Sequence, residues 1–260
     1  MSLSETPETV EVDFIAPRHL AGGGDPAWIT VPLHRAGGWS YGHDPLLPRV
    51  LLASPDQQAL LRLEPAADGQ WWTLRHTATP QRPAWYASFG ARTPVELIAA
   101  FTDALTDPAA SPATLAPYEP LERARWTPTP AADGLRSPDG TALVEQTDSE
   151  GAGPWCVTVA LASSRPVWQA RFGKNTPPHL ITEFTTALAD PRPLPRPGGP
   201  LSIPARLSHL ITRTTRQVPA VQVAGALEER VHALAARRAA CRAALPPRGG
   251  RPRGAPDRRR

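Results

Sequence analysis

The stretch FGARTPVELIAAFTDALTDP, Phe89–Pro108, returns as FGKNTPPHLITEFTTALADP, Phe172–Pro191, at an offset of 83 residues. The text reads as a strand end followed by a helix. Gly90 and Gly173 close the strand. Thr93 and Thr176 stand as N-cap candidates, each followed by proline at the first helical position, where its missing N–H costs nothing. Glu96 completes a capping box with Thr93, whereas the second copy has His179 at that place. Leu97, Ile98, Phe101 and Leu105 form one helical face, matched by Leu180, Ile181, Phe184 and Leu188. Asp107-Pro108 and Asp190-Pro191 stop the helices.

Working outward, the same offset pairs Trp85 with Trp168, Trp72 with Trp155, Leu60 with Leu143 and Ala59 with Ala142. It also pairs the tripeptide Ser54–Asp56 with Ser137–Asp139. Further upstream the offset slips, because Pro32–Trp39 (PLHRAGGW) resembles Pro120–Trp126 (PLERARW). The SPD sequences read as tight turns between apolar runs, a β-hairpin signature. In AWYASFG, Trp85, Ala87 and Phe89 share one face, as Trp168, Ala170 and Phe172 do in VWQARFG. The opposite face changes from Tyr86 and Ser88 to Gln169 and Arg171, the pattern of a half-buried antiparallel sheet.

These spacings predict an α+β fold. Two tandem repeats each form a three- to four-stranded antiparallel sheet covered by one amphipathic helix, and the halves pack about a pseudo-two-fold axis. The expected organisation is residues 1–110 for N-terminal strands and the first repeat, and 111–191 for the second. A proline-rich linker with a short basic helical segment follows over 192–222. A C-terminal helix covers 223–245, and a disordered arginine-rich tail 246–260. Val10–Ala16 and Ala27–Leu33 read as strands joined by a glycine turn and added to the first sheet. Neither Cys156, in a strand, nor Cys241, in the last helix, belongs to a disulfide framework, so both are expected as free thiols.

The motifs SPD, ALLRLEP, GQWWTLRH and PAWYASFGARTPVELIAAFTDALTDP, with their second copies, resemble the SPDY domain family of streptomycetes. That family is a domain of unknown function, often in tandem. The resemblance implies a bacterial, soluble protein with a duplicated layout, and it brings no catalytic residues. Gln57 and Gly140 stand where the family name places a tyrosine.

The net charge of +4 is unevenly spread. Residues 230–260 hold ten arginines and one acid, leaving −5 for residues 1–229. Arg248, Arg251, Arg253, Arg258, Arg259 and Arg260 in the tail are candidates for contacts to nucleic-acid phosphates. No apolar run approaches the ~18 residues that span a bilayer, and the acidic start lacks a signal-like apolar region. The expectation is a cytoplasmic protein with no membrane partner.

The glycine cluster Ala21–Pro26 has no helix signal behind it and reads as a turn rather than a phosphate cradle. The histidines lack metal-ligand spacing, and no nucleophile elbow occurs. No catalytic residue, metal or cofactor is therefore assigned. His34, His43 and Asp44 form a polar cluster near Trp39. Tyr86 is on the polar side of its strand, and Trp71 and its neighbour Trp72 must face opposite ways, one of them toward solvent. His34, His43, Asp44, Trp71 and Tyr86 are the binding candidates. Asp56 and Asp139 read as turn formers. The function expected is a non-catalytic binding or adaptor protein with a protein partner. A nucleic-acid accessory role through the tail is the alternative, and an enzyme with an unrecognised site the third reading.

Overall fold

The structure, a computed structural model, describes residues 8–42, 49–107, 116–129, 133–147, 153–161, 166–197 and 209–244. Along the chain, β1 (Thr9–Ala16) leads through a 3₁₀ turn at Arg18–Leu20 to α1 (Ala27–Arg35). Then come β2 (Ser40–Gly42), β3 (Val50–Ala53), β4 (Ala59–Leu63), β5 (Gln70–His76), β6 (Trp85–Gly90) and α2 (Val95–Thr106). The second pass runs α3 (Glu119–Arg123), β7 (Thr127–Pro128), β8 (Gly134–Arg136), β9 (Ala142–Gln146), β10 (Trp155–Ala160), β11 (Pro166–Phe172) and α4 (Pro178–Ala189). The described residues end with β12 (Leu194–Pro197), β13 (Thr212–Pro219) and α5 (Ala220–Ala244).

The two passes do not make two separate sheets. They join in one ten-stranded antiparallel sheet of order β2-β3-β4-β5-β6-β11-β10-β9-β8-β7. This order reads the same from either edge once each strand is replaced by its partner in the other copy. The junction shows why. β6 and β11 pair antiparallel with Ser88 opposite Arg171, flanked by Phe89 opposite Ala170 and Ala87 opposite Phe172. Ser88 and Arg171 are themselves related by the 83-residue offset. A pseudo-two-fold axis therefore passes through that pair and fuses the expected halves into one layer. Its outer strands, β2 and β7, have three and two residues, which leaves little free edge for unwanted pairing.

Period-two alternation turns Leu61, Trp72, Leu74, Trp85, Ala87 and Phe89 to one face, with Val144, Val157, Val159, Trp168, Ala170 and Phe172 beside them; all are buried. Helices α1 to α4 cover this face. Phe89, Phe101, Phe172 and Phe184 meet at the axis. Phe89 stacks on Phe184 with centroids 5.7 Å apart, and its copy-related pair, Phe172 and Phe101, stacks at 5.5 Å. Edge-to-face contacts repeat likewise, Phe89–Phe101 at 5.6 Å and Phe172–Phe184 at 5.3 Å. Each ring is fully buried.

Several expectations need correction. Ala27–Leu33 is helical, not a strand. Its β-branched residues suggested strand, but Ile29 and Leu33 at i,i+4 both sink into the core, and packing overrides local propensity. Asp25 accepts the Ala27 N–H at 2.9 Å and helps start the turn. In the structure the repeat extends this far, since Pro32 and Leu33 of α1 align with Pro120 and Leu121 of α3.

β1 does not join the first sheet. It lies between β12 and β13 in a separate three-stranded sheet. Two parts of the expected 192–222 linker and basic helix are thus strands. Leu194–Pro197 pairs with Val12–Ile15, and Thr212–Pro219 pairs along all of β1. The Thr- and Arg-rich text of β13 is weakly helical by itself, and an adjacent strand with free backbone groups settles it.

Neither Thr93 nor Thr176 caps a helix through its side chain. The Thr176 hydroxyl donates to the Tyr86 carbonyl at 3.0 Å, tying the two copies together. Glu96 binds the Arg196 guanidinium in a two-pronged pair at 2.6 and 3.0 Å instead of closing a capping box. The first helical N–H, that of Val95, donates to the Gly23 carbonyl at 2.7 Å. The tail, 246–260, lies outside the described residues.

Phe172→Ala is expected to cost about 3–5 kcal/mol, read as a lower urea midpoint. The loss should be matched by Phe89→Ala, because the two rings occupy equivalent places. The SPD turns offer a smaller test. Gly140 has φ 74° and Gln57 φ 59°, so Gln57 bears the left-handed strain that glycine escapes. Gln57→Gly should raise stability by about 1 kcal/mol.

Candidate functional site

The face of the large sheet opposite the helices carries exposed side chains, among them Leu60 at 42 % and Tyr86 at 47 %. Over the first copy it forms a shallow trough of about 660 Å³. Its floor is built by cross-strand neighbours on the outward side of the pleat. Thr73 lies opposite both Arg62 and Ser88, Arg75 opposite Tyr86, and Ser88 opposite Arg171. Directly opposed side chains have Cβ atoms about 5 Å apart, so these groups form one continuous patch. Beyond one end of the floor the His76 ring lies stacked on Trp85 at 5.3 Å.

The charges of the patch are unequal in freedom. Arg62 reaches Glu64 at 3.5 Å. Arg171 binds Gln169 Oε1 at 2.9 Å and Asp68 at 3.3 Å. Arg75 is exposed and makes no ion pair with any described residue. Tyr86 is 47 % exposed. Its ring lies over Gly173, where a Cβ would come within 2.8 Å of two ring carbons. Glycine at 173 thus lets the tyrosine lie close against β11 while its outer side meets solvent.

The copies differ sharply on this side of the sheet. At the 83-residue offset Arg62 becomes Glu145, Thr73 becomes Cys156, Arg75 becomes Thr158, Tyr86 becomes Gln169 and Ser88 becomes Arg171. On the helix-covered side the same strands keep Trp85/Trp168, Ala87/Ala170 and Phe89/Phe172. Packing holds one face constant; the open face is released from that constraint. Its basic and aromatic groups lie over the first copy and the axis.

Of the sequence candidates, Tyr86 lines the trough. Trp71, 41 % exposed, stands outside it, where the β5–β6 register shifts between Gln70 and Trp72. His34 ends α1; its Nδ1 donates to the Trp39 carbonyl at 2.8 Å and its ring lies 4.8 Å from Tyr41. His43 and Asp44 lie outside the described residues, as do the tail arginines. Arg62, Thr73, Arg75, Ser88 and Arg171 escaped sequence reasoning. The signal for them was the drift of the outward face between copies.

A second polar cluster sits on the helix side. His19 is buried, and its Nε2 meets Asp139 at 3.1 Å and the Thr141 hydroxyl at 2.7 Å. Ser137 and the Thr141 N–H also donate to Asp139. Burial alone would raise the Asp139 pKa. Hydrogen bonds from His19 and Ser137 outweigh it and hold the carboxyl well below the usual range. The Trp168 indole donates to the His19 carbonyl at 2.8 Å. The turn-forming role of Asp139 is therefore joined by a second, anchoring the N-terminal arm to the second copy.

The glycine loop has the wrong polarity for phosphate. The Ala21 and Gly22 carbonyls point at Arg196, each 3.0 Å from a guanidinium nitrogen. Cys156 and Cys241 are free thiols, and burial raises the Cys156 pKa. Among the described residues no helix is long and apolar enough to cross a membrane.

A family model, SPDY, described as a domain of unknown function (DUF317), matches residues 53–111 and 136–194, so the chain carries two tandem copies of that domain. The matched segments begin at the end of β3 and at the end of β8, and each runs past its helix. No curated protein and no solved structure matches the chain.

His19→Ala should cost about 2 kcal/mol at neutral pH, the scale of a hydrogen bond to a charged group. Asp139 has a depressed folded pKa. Its contribution is present above the unfolded carboxylate value near 3.9 and fades as pH falls through the folded one. Urea midpoints of wild type and Asp139→Asn should therefore converge on acidification below about pH 4.

Proposed function

We propose that this chain, built around two SPDY domains, is a non-catalytic binding protein. Its partner lies on the open sheet face over the first copy. The observation that carries this reading is the contrast between the two sides of the sheet: matched interior residues on one, and on the other a substituted face where Arg62, Arg75, Tyr86 and Arg171 converge. A site needs side chains that are free of packing duties and placed by a rigid scaffold, and this face supplies both. Arg62, Arg75 and Arg171 line the trough with Asp68 as the acid among its lining residues, so the surplus charge favours an anionic partner.

Nothing in the trough resembles an activated nucleophile or an acid–base pair. Cys156, beside it on β10, has its thiol pushed up rather than down, opposite to what thiolate chemistry needs. The second reading places nucleic-acid contact in the tail. It is supported by the six arginines of residues 246–260.

Retention of the full chain on immobilised heparin separates the two. Arg75→Glu with Arg171→Glu should elute at clearly lower salt than wild type. Arg123→Glu, whose side chain is exposed on α3 away from this face, should elute unchanged. Equal elution of the double variant and wild type, with retention lost on removing residues 246–260, would leave only the tail reading standing.

A further inference from the structure

We propose that the partner on the open face is single-stranded nucleic acid, with one base stacked on Tyr86 and the backbone phosphates held by Arg75 and Arg171. This rests on the reading of that face as the binding surface. The argument is geometric. Tyr86 sits near the centre of the sheet, its ring braced against Gly173 on one side and open on the other. A ring fixed in this way can take a flat partner with little further ordering. Its direct cross-strand neighbour is Arg75, which makes no ion pair with any described residue. On the next strand pair, Arg171 stands opposite Ser88. An exposed aromatic plane with cations to either side suits a base carried between two phosphates.

Other anionic partners fit less well. An acidic peptide would use the arginines but leave the tyrosine plane without a matching flat group. A duplex would offer phosphates, yet its bases are stacked within the helix and out of reach of Tyr86. Among the described residues the face also carries no projecting helix to enter a major groove. Thr73 and Ser88, the hydroxyls between the arginines, add neutral hydrogen-bonding groups without specifying sequence. The second copy lacks the arrangement, having Gln169 for Tyr86 and Thr158 for Arg75. The chain is thus expected to carry one such site.

The second copy also supplies safe test variants, because its residues already occupy equivalent positions in a folded strand. Tyr86→Gln and Arg75→Thr, in the full chain, are measured against a labelled oligothymidylate of about 12 nucleotides, a length within the range of comparable sites. Fluorescence anisotropy reads the affinity, and a thermal melt confirms the fold of each variant. Tyr86→Gln should weaken oligonucleotide binding about 10-fold while leaving heparin retention unaltered. Arg75→Thr should weaken both and reduce the slope of log affinity against log salt by about 0.7.

If Tyr86→Gln binds the oligonucleotide like wild type while the arginine variants weaken it, stacking is overturned and the anionic face stands. Tighter binding of poly-glutamate or of duplex than of the single strand would overturn the choice of partner. If no variant of the face changes any binding and removal of residues 246–260 abolishes it, the face reading falls as well.

Discussion

Phe89, Phe101, Phe172 and Phe184 touch one another across the junction of the two copies, and the architecture depends on that contact. Each ring is excluded from solvent, and each pairs with rings from both copies. Aromatic pairs of this kind add about 0.5–1.5 kcal/mol beyond simple burial. Ala87 and Ala170 stand opposite Phe172 and Phe89 in the β6–β11 register, and their small side chains leave room for the rings on that face. Once these strands pair with Ser88 opposite Arg171, the order of every other strand follows from hairpin connections. A single sheet with helices on one side then leaves its second side to solvent.

The unrepeated segments finish the molecule unevenly. The N-terminal arm fastens to the second copy through Arg18–Asp190 and His19–Asp139. α5 lies against the first copy, where Arg230 reaches Asp103 at 2.9 Å and the Trp28 carbonyl at 3.0 Å. Asp190 and Asp107 are copy-related helix stops. One is matched by Arg18, while the other lies beside Cys241 of α5. The helix side is thus met by the N-terminal arm and α5, while the other side of the sheet carries the exposed Leu60 and Tyr86.

Reading the site needed both levels. Sequence reasoning singled out Tyr86 and saw that its face drifts, because alternation is visible in any strand. It did not find Arg62, Arg75 or Arg171, since three arginines on three strands have no common spacing. They become neighbours only through register. The glycine run illustrates the converse. It reads as a turn because a strand is expected behind it; α1 follows instead, and it is the carbonyls aimed at Arg196 that make the run unsuited to phosphate.

The sequence by itself determined the duplication, the strand–turn–strand units, the α2 and α4 helices and the buried face, because period-two and 3.6-residue patterns are local and were written twice. Tertiary structure alone decided that the copies share one sheet, that Ala27–Leu33 coils into a helix and that Thr212–Pro219 becomes a strand. Those outcomes turn on which partner offers burial or unpaired backbone groups, and a partner far away in the chain leaves no periodic mark on the segment that meets it.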